Sequence, residues 1–274
     1  MRLLLSVLCI LSLSLSGIAQ ESDFLPKPWQ KSVIGSFNLS QAKFSNWAAG
    51  GTDSFSWLVS LDGEFSQEQA AGLWRNSFKL RYGAAQVGDE SSRKSEDEIW
   101  AETLYTFKSD QNIHLYMSAS VLTQFTKSYD YTDSGKVAIS NFLDPGYFMQ
   151  SLGYKILWDD FTSIRLGAAA KETMTDKYRD FSNGEDLLVQ YGLETVTEYK
   201  RPLSDSSDLS SKLSVFYDGR GLRYIDYYWD TQLSAKLLEE IQFVLNYKLS
   251  FDRDLSSEIQ SMNTMSMGVL YQFI

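Results

Sequence analysis

Arg75, Lys79 and Arg81 are separated by four positions and then by two. Even spacing in an extended chain puts all three side chains on one face. Asp62 and Glu64 lie on the segment before and Glu102 on the segment after, each on the matching face. Charges of both signs on one face do one of two things. They line a polar pathway for a small solute, with the cations as a ladder, or they pair with one another and fill the space they enclose. Arg165, Lys171, Glu194, Glu198, Lys212, Asp218, Asp226, Asp230, Lys236 and Lys248 extend the pattern along later segments.

Other chemistry is sparse. His114 is the single histidine, with Ser118 and Ser120 on its face. A hydrolase built on it needs a serine within hydrogen-bond reach and a third group to orient the ring. Serines are common on every such face here, so a hydrogen-bonded lumen histidine is the plainer expectation. No G-x-S-x-G, Walker loop or H-E-x-x-H occurs, and GRGLRY at 219–224 falls between strands rather than at a strand-to-helix phosphate site. Asp130, Asp133, Asp176 and Asp180 follow no calcium-loop spacing. Cys9 is the only cysteine. It falls in a leader, which excludes thiolate metal sites, cysteine catalysis and disulfides from the remainder. No cofactor, no metal and no enzymatic activity are expected. One stretch, FSNWAAGGTDSFSW at 44–57, places Trp47 beside Gly50 and Gly51 and runs into a serine–aromatic rhythm.

The elements that must position these residues are strands. Phe55, Trp57, Val59, Leu61 and Phe65 alternate with Ser54, Ser56, Ser60, Asp62 and Glu64. The same period of two recurs in later segments, for example Ile225, Tyr227, Trp229, Leu233 against Asp226, Tyr228, Asp230, Gln232. Twelve strands are expected, near 33–44, 53–66, 73–87, 98–108, 112–126, 146–158, 161–171, 187–201, 208–218, 224–238, 241–251 and 260–274. Many exceed the ~5–6 residues of a soluble strand and fit the ~9–11 that cross a bilayer at a tilt. Connections alternate between a short class (67–72, 109–111, 159–160, 202–207, 239–240) and a long class (88–97, 127–145, 172–186, 219–223, 252–259). An even strand number with short periplasmic turns and longer extracellular loops is the pattern of an outer-membrane barrel. The fold expected is therefore all-β: one antiparallel up-and-down transmembrane barrel of about 12 strands. A secreted β-sandwich is the competing reading. A cation facing lipid at mid-membrane costs about 2–4 kcal/mol, which turns the charged set inward. Trp57, Trp74, Tyr105, Trp158, Tyr199 and Trp229 are then candidates for interfacial girdles.

The first residues, MRLLLSVLCILSLSLSGIAQ, have the charge, apolar stretch and small-residue site of a secretory signal peptide. The expected organisation is a signal peptide at 1–19, a periplasmic segment at 20–32 and a barrel at 33–274, exported through the Sec pathway to the outer membrane. There are 25 Lys and Arg against 35 Asp and Glu, a formal net charge of −10. That balance argues against nucleic acid as a partner. The partners expected are outer-membrane lipid and the barrel-assembly machinery that reads a terminal aromatic, here Phe273 before Ile274.

N-W-A-A-G-G at 46–51, K-S-E-D-E at 94–98, SNFLDPGYFMQSLGYKI at 140–156 and the strand pair in YYWDTQLSAKLLEEIQFVLNYKLSFD carry a resemblance. In these stretches the chain resembles the domain of unknown function 3078 family of Bacteroidota, whose members are expected to form outer-membrane barrels. The resemblance implies location and fold and transfers no functional residue. Three roles follow as ranked alternatives, the enzyme last. The first is a narrow porin-like channel for a small solute. The second is a non-conducting barrel that serves as a structural or partner-binding component, with loops 127–145 and 172–186 as its docking elements. The third is a lipid-modifying enzyme using His114.

Overall fold

The computed structural model describes residues 26–45, 51–132, 135–178, 186–221, 224–252 and 258–273. Fourteen strands are present among them: β1 (Gln30–Ala42), β2 (Ser54–Gln69), β3 (Gly72–Val87), β4 (Arg93–Phe107), β5 (Ile113–Thr123), β6 (Ser128–Thr132), β7 (Gly135–Ser140), β8 (Gly146–Leu157), β9 (Thr162–Met174), β10 (Leu187–Ser204), β11 (Ser207–Tyr217), β12 (Ile225–Lys236), β13 (Ile241–Phe251) and β14 (Gln260–Gln272). Twelve of them close one antiparallel barrel, in which β5 pairs with β8 and β1 pairs with β14. Every expected strand is present, and β1 begins at Gln30, three residues before the expected barrel edge.

Two connections differ from the sequence reading. The segment taken as one loop at 127–145 contains β6 and β7, a hairpin that stands outside the barrel. The expected long connection at 88–97 shrinks to 88–92, because β4 starts at Arg93 and pairs with the upper end of β3. A bulge between Gly83 and Ala84 in that pairing absorbs Ser95, and from Glu96 onward the register is unbroken, so Glu96, Glu98, Trp100 and Glu102 share one face.

The barrel is inverted relative to a soluble protein. Along β9 the inward residues Arg165, Gly167, Ala169, Lys171 and Thr173 are all buried, and Leu166 between them is exposed. β14 repeats this with Met265, Met267, Val269 and Tyr271 on the outside, Met265 keeping 73% of its surface. Alternation alone forces the arrangement, since a one-residue slip would exchange the two faces. Small residues make room inside. A Cβ on Gly167 would stand 2.7 Å from the Tyr116 hydroxyl and 2.6 Å from the Leu152 carbonyl oxygen, so glycine there seats a fully buried tyrosine.

Aromatics gather at the two rims. At the loop end Trp57 meets Tyr82, which meets Phe125 edge-on. At the turn end Trp29 packs on Trp74 and Tyr105 on Phe107. The Trp74 indole donates to Thr103 Oγ1 at 2.8 Å, and the Trp229 indole to Ser211 Oγ at 2.8 Å.

Candidate functional site

The inward charges form ion pairs that cross the lumen. Lys79 of β3 donates to Asp230 of β12 at 2.9 Å. Arg75 of β3 reaches Glu198 of β10 with two contacts from Nη2, at 3.0 and 3.1 Å. Lys248 of β13 donates to Glu98 and Glu96 of β4 at 2.7 and 3.0 Å. In each case the two strands stand five places apart in the ring of twelve, one short of opposite. These are struts across the barrel, not neighbour-to-neighbour pairs.

Glu102 is the junction of the lattice. It accepts from Arg165 Nη2 at 2.7 Å and from Lys212 Nζ at 3.4 Å. Arg165 is the most deeply buried charge, with 1% of its surface exposed. Its second carboxylate, Glu198, stands at 3.9 Å, and Glu198 also lies 3.8 Å from Lys212. Ring faces complete the seating: Lys212 lies 4.4 Å above Trp100 and Arg165 lies 5.5 Å from the Tyr116 ring.

The cations expected as a ladder are therefore all engaged. Arg75 and Lys79 pair across the lumen, while Arg81 is held along the wall by Glu98 at 3.3 Å and Asp62 at 3.5 Å. Glu64 pairs with Lys200 at 3.5 Å towards the turn end. His114 sits near that end too, its Nδ1 3.3 Å from the Phe107 carbonyl. Of the two serines on its face, Ser118 bonds Ser151, which donates to the Tyr116 hydroxyl, and Ser120 lines a cavity above the lattice.

Above the lattice, a cavity of about 400 Å³ extends from Glu102 and Lys212 to the loop-side strand ends at Asp226, Phe251 and Asp252. Its wall mixes charges with Trp100, Leu122, Val196 and Phe216. Trp100, which the sequence reading did not name, is one of its lining residues. The signal available was its even spacing from Glu98 and Glu102.

On the loop side two carboxylates act as clamps. Asp144, before β8, accepts from Thr175 Oγ1 at 2.7 Å, Asp176 N at 2.9 Å and Lys177 N at 3.1 Å, tying the connection before β8 to the connection after β9. Burial pushes its carboxyl up, and the hydrogen bonds from that loop prevail and hold it below the usual range. Asp53 accepts from Lys43 Nζ at 2.6 Å and Phe44 N at 2.9 Å, closing the base of the loop that carries the tryptophan–glycine stretch. The Lys43 bond, then the Phe44 bond, hold the Asp53 carboxyl low. Gly51 has φ +155°, and a Cβ there would run into the Phe44 ring. Trp47 and Gly50 lie outside the described residues. Of the other loop acids, Asp133 and Asp180 also lie outside them.

Inverted surface, closed ring and ion-paired interior define the class: an all-β, twelve-stranded antiparallel barrel with an apolar exterior. Residues 39–129 match the model of a family described as "Protein of unknown function (DUF3078)", the family resembled in sequence. No curated protein matches the chain. Among solved structures, the chain is similar to an outer membrane channel from Pseudomonas putida F1, at 11% identity and TM-score 0.44, covering 93% of this chain and 98% of that one. It is also similar to the translocator domain of the autotransporter NalP from Neisseria meningitidis, at 11% identity and TM-score 0.39, covering 93% and 90%. For the NanC porin the values are 9%, 0.41, 87% and 98%.

Proposed function

We propose that this chain is an outer-membrane barrel whose lumen is braced shut by ion pairs from mid-height towards the loop side, with a binding cup beside them in the loop-side half. The observation that carries this reading is the set of three struts, Lys79–Asp230, Arg75–Glu198 and Lys248–Glu98, each joining nearly opposite walls. A solute passing down the axis has to part these ion pairs. Of the roles expected from sequence, the geometry favours the non-conducting, binding barrel over the open channel. Membrane location is supported by the exterior, where Leu166, Leu193 and Met265 present apolar side chains that water would penalise. The leader reading of residues 1–19 supports export through the Sec pathway. A Bacteroidota source, insertion by the barrel-assembly machinery and a family role for Trp47, Gly50 and Gly51 belong to the same proposal.

The test is solute flux. Liposomes carrying the reconstituted protein should swell in arabinose no faster than empty ones, and porin-like swelling would overturn the closed lumen. Cell fractionation checks the location: the protein should remain with outer-membrane lipid, and recovery in the soluble periplasm would refute it.

One observation favours a second reading, a narrow channel along the β1–β2 wall. Asp62 and Glu64 keep 40% and 41% of their side-chain surface in water, beside the small Ser36–Ser60 pair. Arabinose swelling that Ser60→Trp abolishes would establish that path.

A further inference from the structure

The cavity above the lattice contains one buried acid with an oxygen that no hydrogen bond or ion pair meets among the described residues, although the charge of Arg165 is felt there without contact. Every lysine in its wall is engaged: Lys79 with Asp230, Lys171 with Asp226 and Asp252, and Lys212 with Glu102. Glu98 is met by Lys248 and Arg81. Glu194 is different. It is buried to 8% exposure, faces the cavity, and its Oε2 has no hydrogen-bond partner. The register explains why: its neighbours across β9 and β11 are Gly167 and Phe216, and neither has a side-chain donor.

From this geometry we infer that the cavity is a binding site for a small organic cation with an apolar or aromatic body, its charged nitrogen on Glu194. A buried acceptor without a partner is costly, and an ammonium group supplies both the donor and the charge. The rest of the wall suits the body of such a molecule, because Leu122, Val196 and Phe216 line the same space. A volume of about 400 Å³ lies at the small end of the ~300–1,000 Å³ typical of ligand pockets. A bare metal ion fits less well, since among the described residues no cluster of three or more acids or histidines could hold one.

The inference rests on the cup reading of the lumen, and one titration separates the two. Tryptamine is titrated into the full-length protein in detergent micelles by calorimetry, with indole-3-propionate as an anion of similar shape. Tryptamine should saturate a single site, Glu194→Gln should weaken it at least tenfold (about 1.4 kcal/mol), and indole-3-propionate should give no saturable heat. Equal binding of the two ligands, unchanged affinity in Glu194→Gln, or no saturable tryptamine binding overturns the site. Soaking 5-bromotryptamine into wild-type crystals removes dependence on the folding of the variant. An anomalous bromine peak beside Glu194 supports the proposal, and a peak elsewhere, or none, refutes it. Binding in a barrel that also passes arabinose would fault the closed lumen and keep the cation site. No binding in a silent barrel would fault the site alone.

Discussion

Replacing Glu102 by Gln removes the carboxylate on which the lattice converges. Arg165 then loses its 2.7 Å partner and Lys212 its 3.4 Å partner. What remains for both is Glu198, at 3.9 and 3.8 Å, already held by Arg75. Arg165 has no route to water at 1% exposure, and its Nε and Nη1 have no partner even in the intact protein. Leaving a buried charge uncompensated costs about 3–5 kcal/mol. The residual attraction of Glu198 places the expected loss towards the lower half of that range. The assay is urea unfolding in phospholipid vesicles followed by tryptophan fluorescence, with Glu68→Gln as control. Glu68 forms an ion pair too, with Lys27, but both side chains are largely in water, so this variant should unfold with the wild type. Replacing both partners with apolar residues, Glu102→Leu with Arg165→Met, should recover much of the loss. A Glu102→Gln midpoint equal to the wild-type midpoint would show that the Glu102 junction does not hold the buried Arg165 and would refute the reasoning.

Three further outcomes follow from packing, lipid exposure and pH. Gly167→Ala drives a methyl group towards the Tyr116 hydroxyl and the Leu152 carbonyl and should cost about 1–3 kcal/mol in the same unfolding assay. Leu166→Lys puts a cation on the lipid face next to a lumen-facing Arg165; folding into vesicles should weaken by about 2–4 kcal/mol, and no change would refute the outward assignment. Because the folded Asp144 carboxyl lies below its ordinary value, its clamp stabilises fully above the unfolded carboxylate pKa of about 3.9. That contribution is lost as pH falls through the folded value. Amide exchange at Asp176 and Lys177 should therefore rise in acid more than for loop amides without such an acceptor, and Asp144→Ala should remove the difference.

The barrel strands were legible because alternation is a local property. Leu115 and Met117 outside, with Tyr116 and Ser118 inside, follow from the period alone. The β6–β7 hairpin also left a trace, Tyr129 and Tyr131 followed by Val137 and Ile139 around Asp-Ser-Gly. That trace was hidden because an even count of crossing strands already accounted for the segment as one loop. Inward orientation of Arg75 and Lys79 was legible; their partners were not. Glu198 lies 123 residues from Arg75, and Asp230 lies 151 from Lys79. Which facing charges meet depends on the stagger of the closed ring, which no single segment encodes. The unpartnered Oε2 of Glu194 was hidden for the same reason, since it shows only once Gly167 and Phe216 have been placed beside it.

The closed lumen is tested most directly by planar-bilayer recording of single barrels in molar potassium chloride. The wild type should give a flat baseline across the voltage range. A variant lacking two struts, Lys79→Ala with Asp230→Ala and Lys248→Ala with Glu98→Ala, should give discrete openings. Steady ohmic conductance from the wild type, matching that of the variant, would contradict a lumen braced shut by ion pairs.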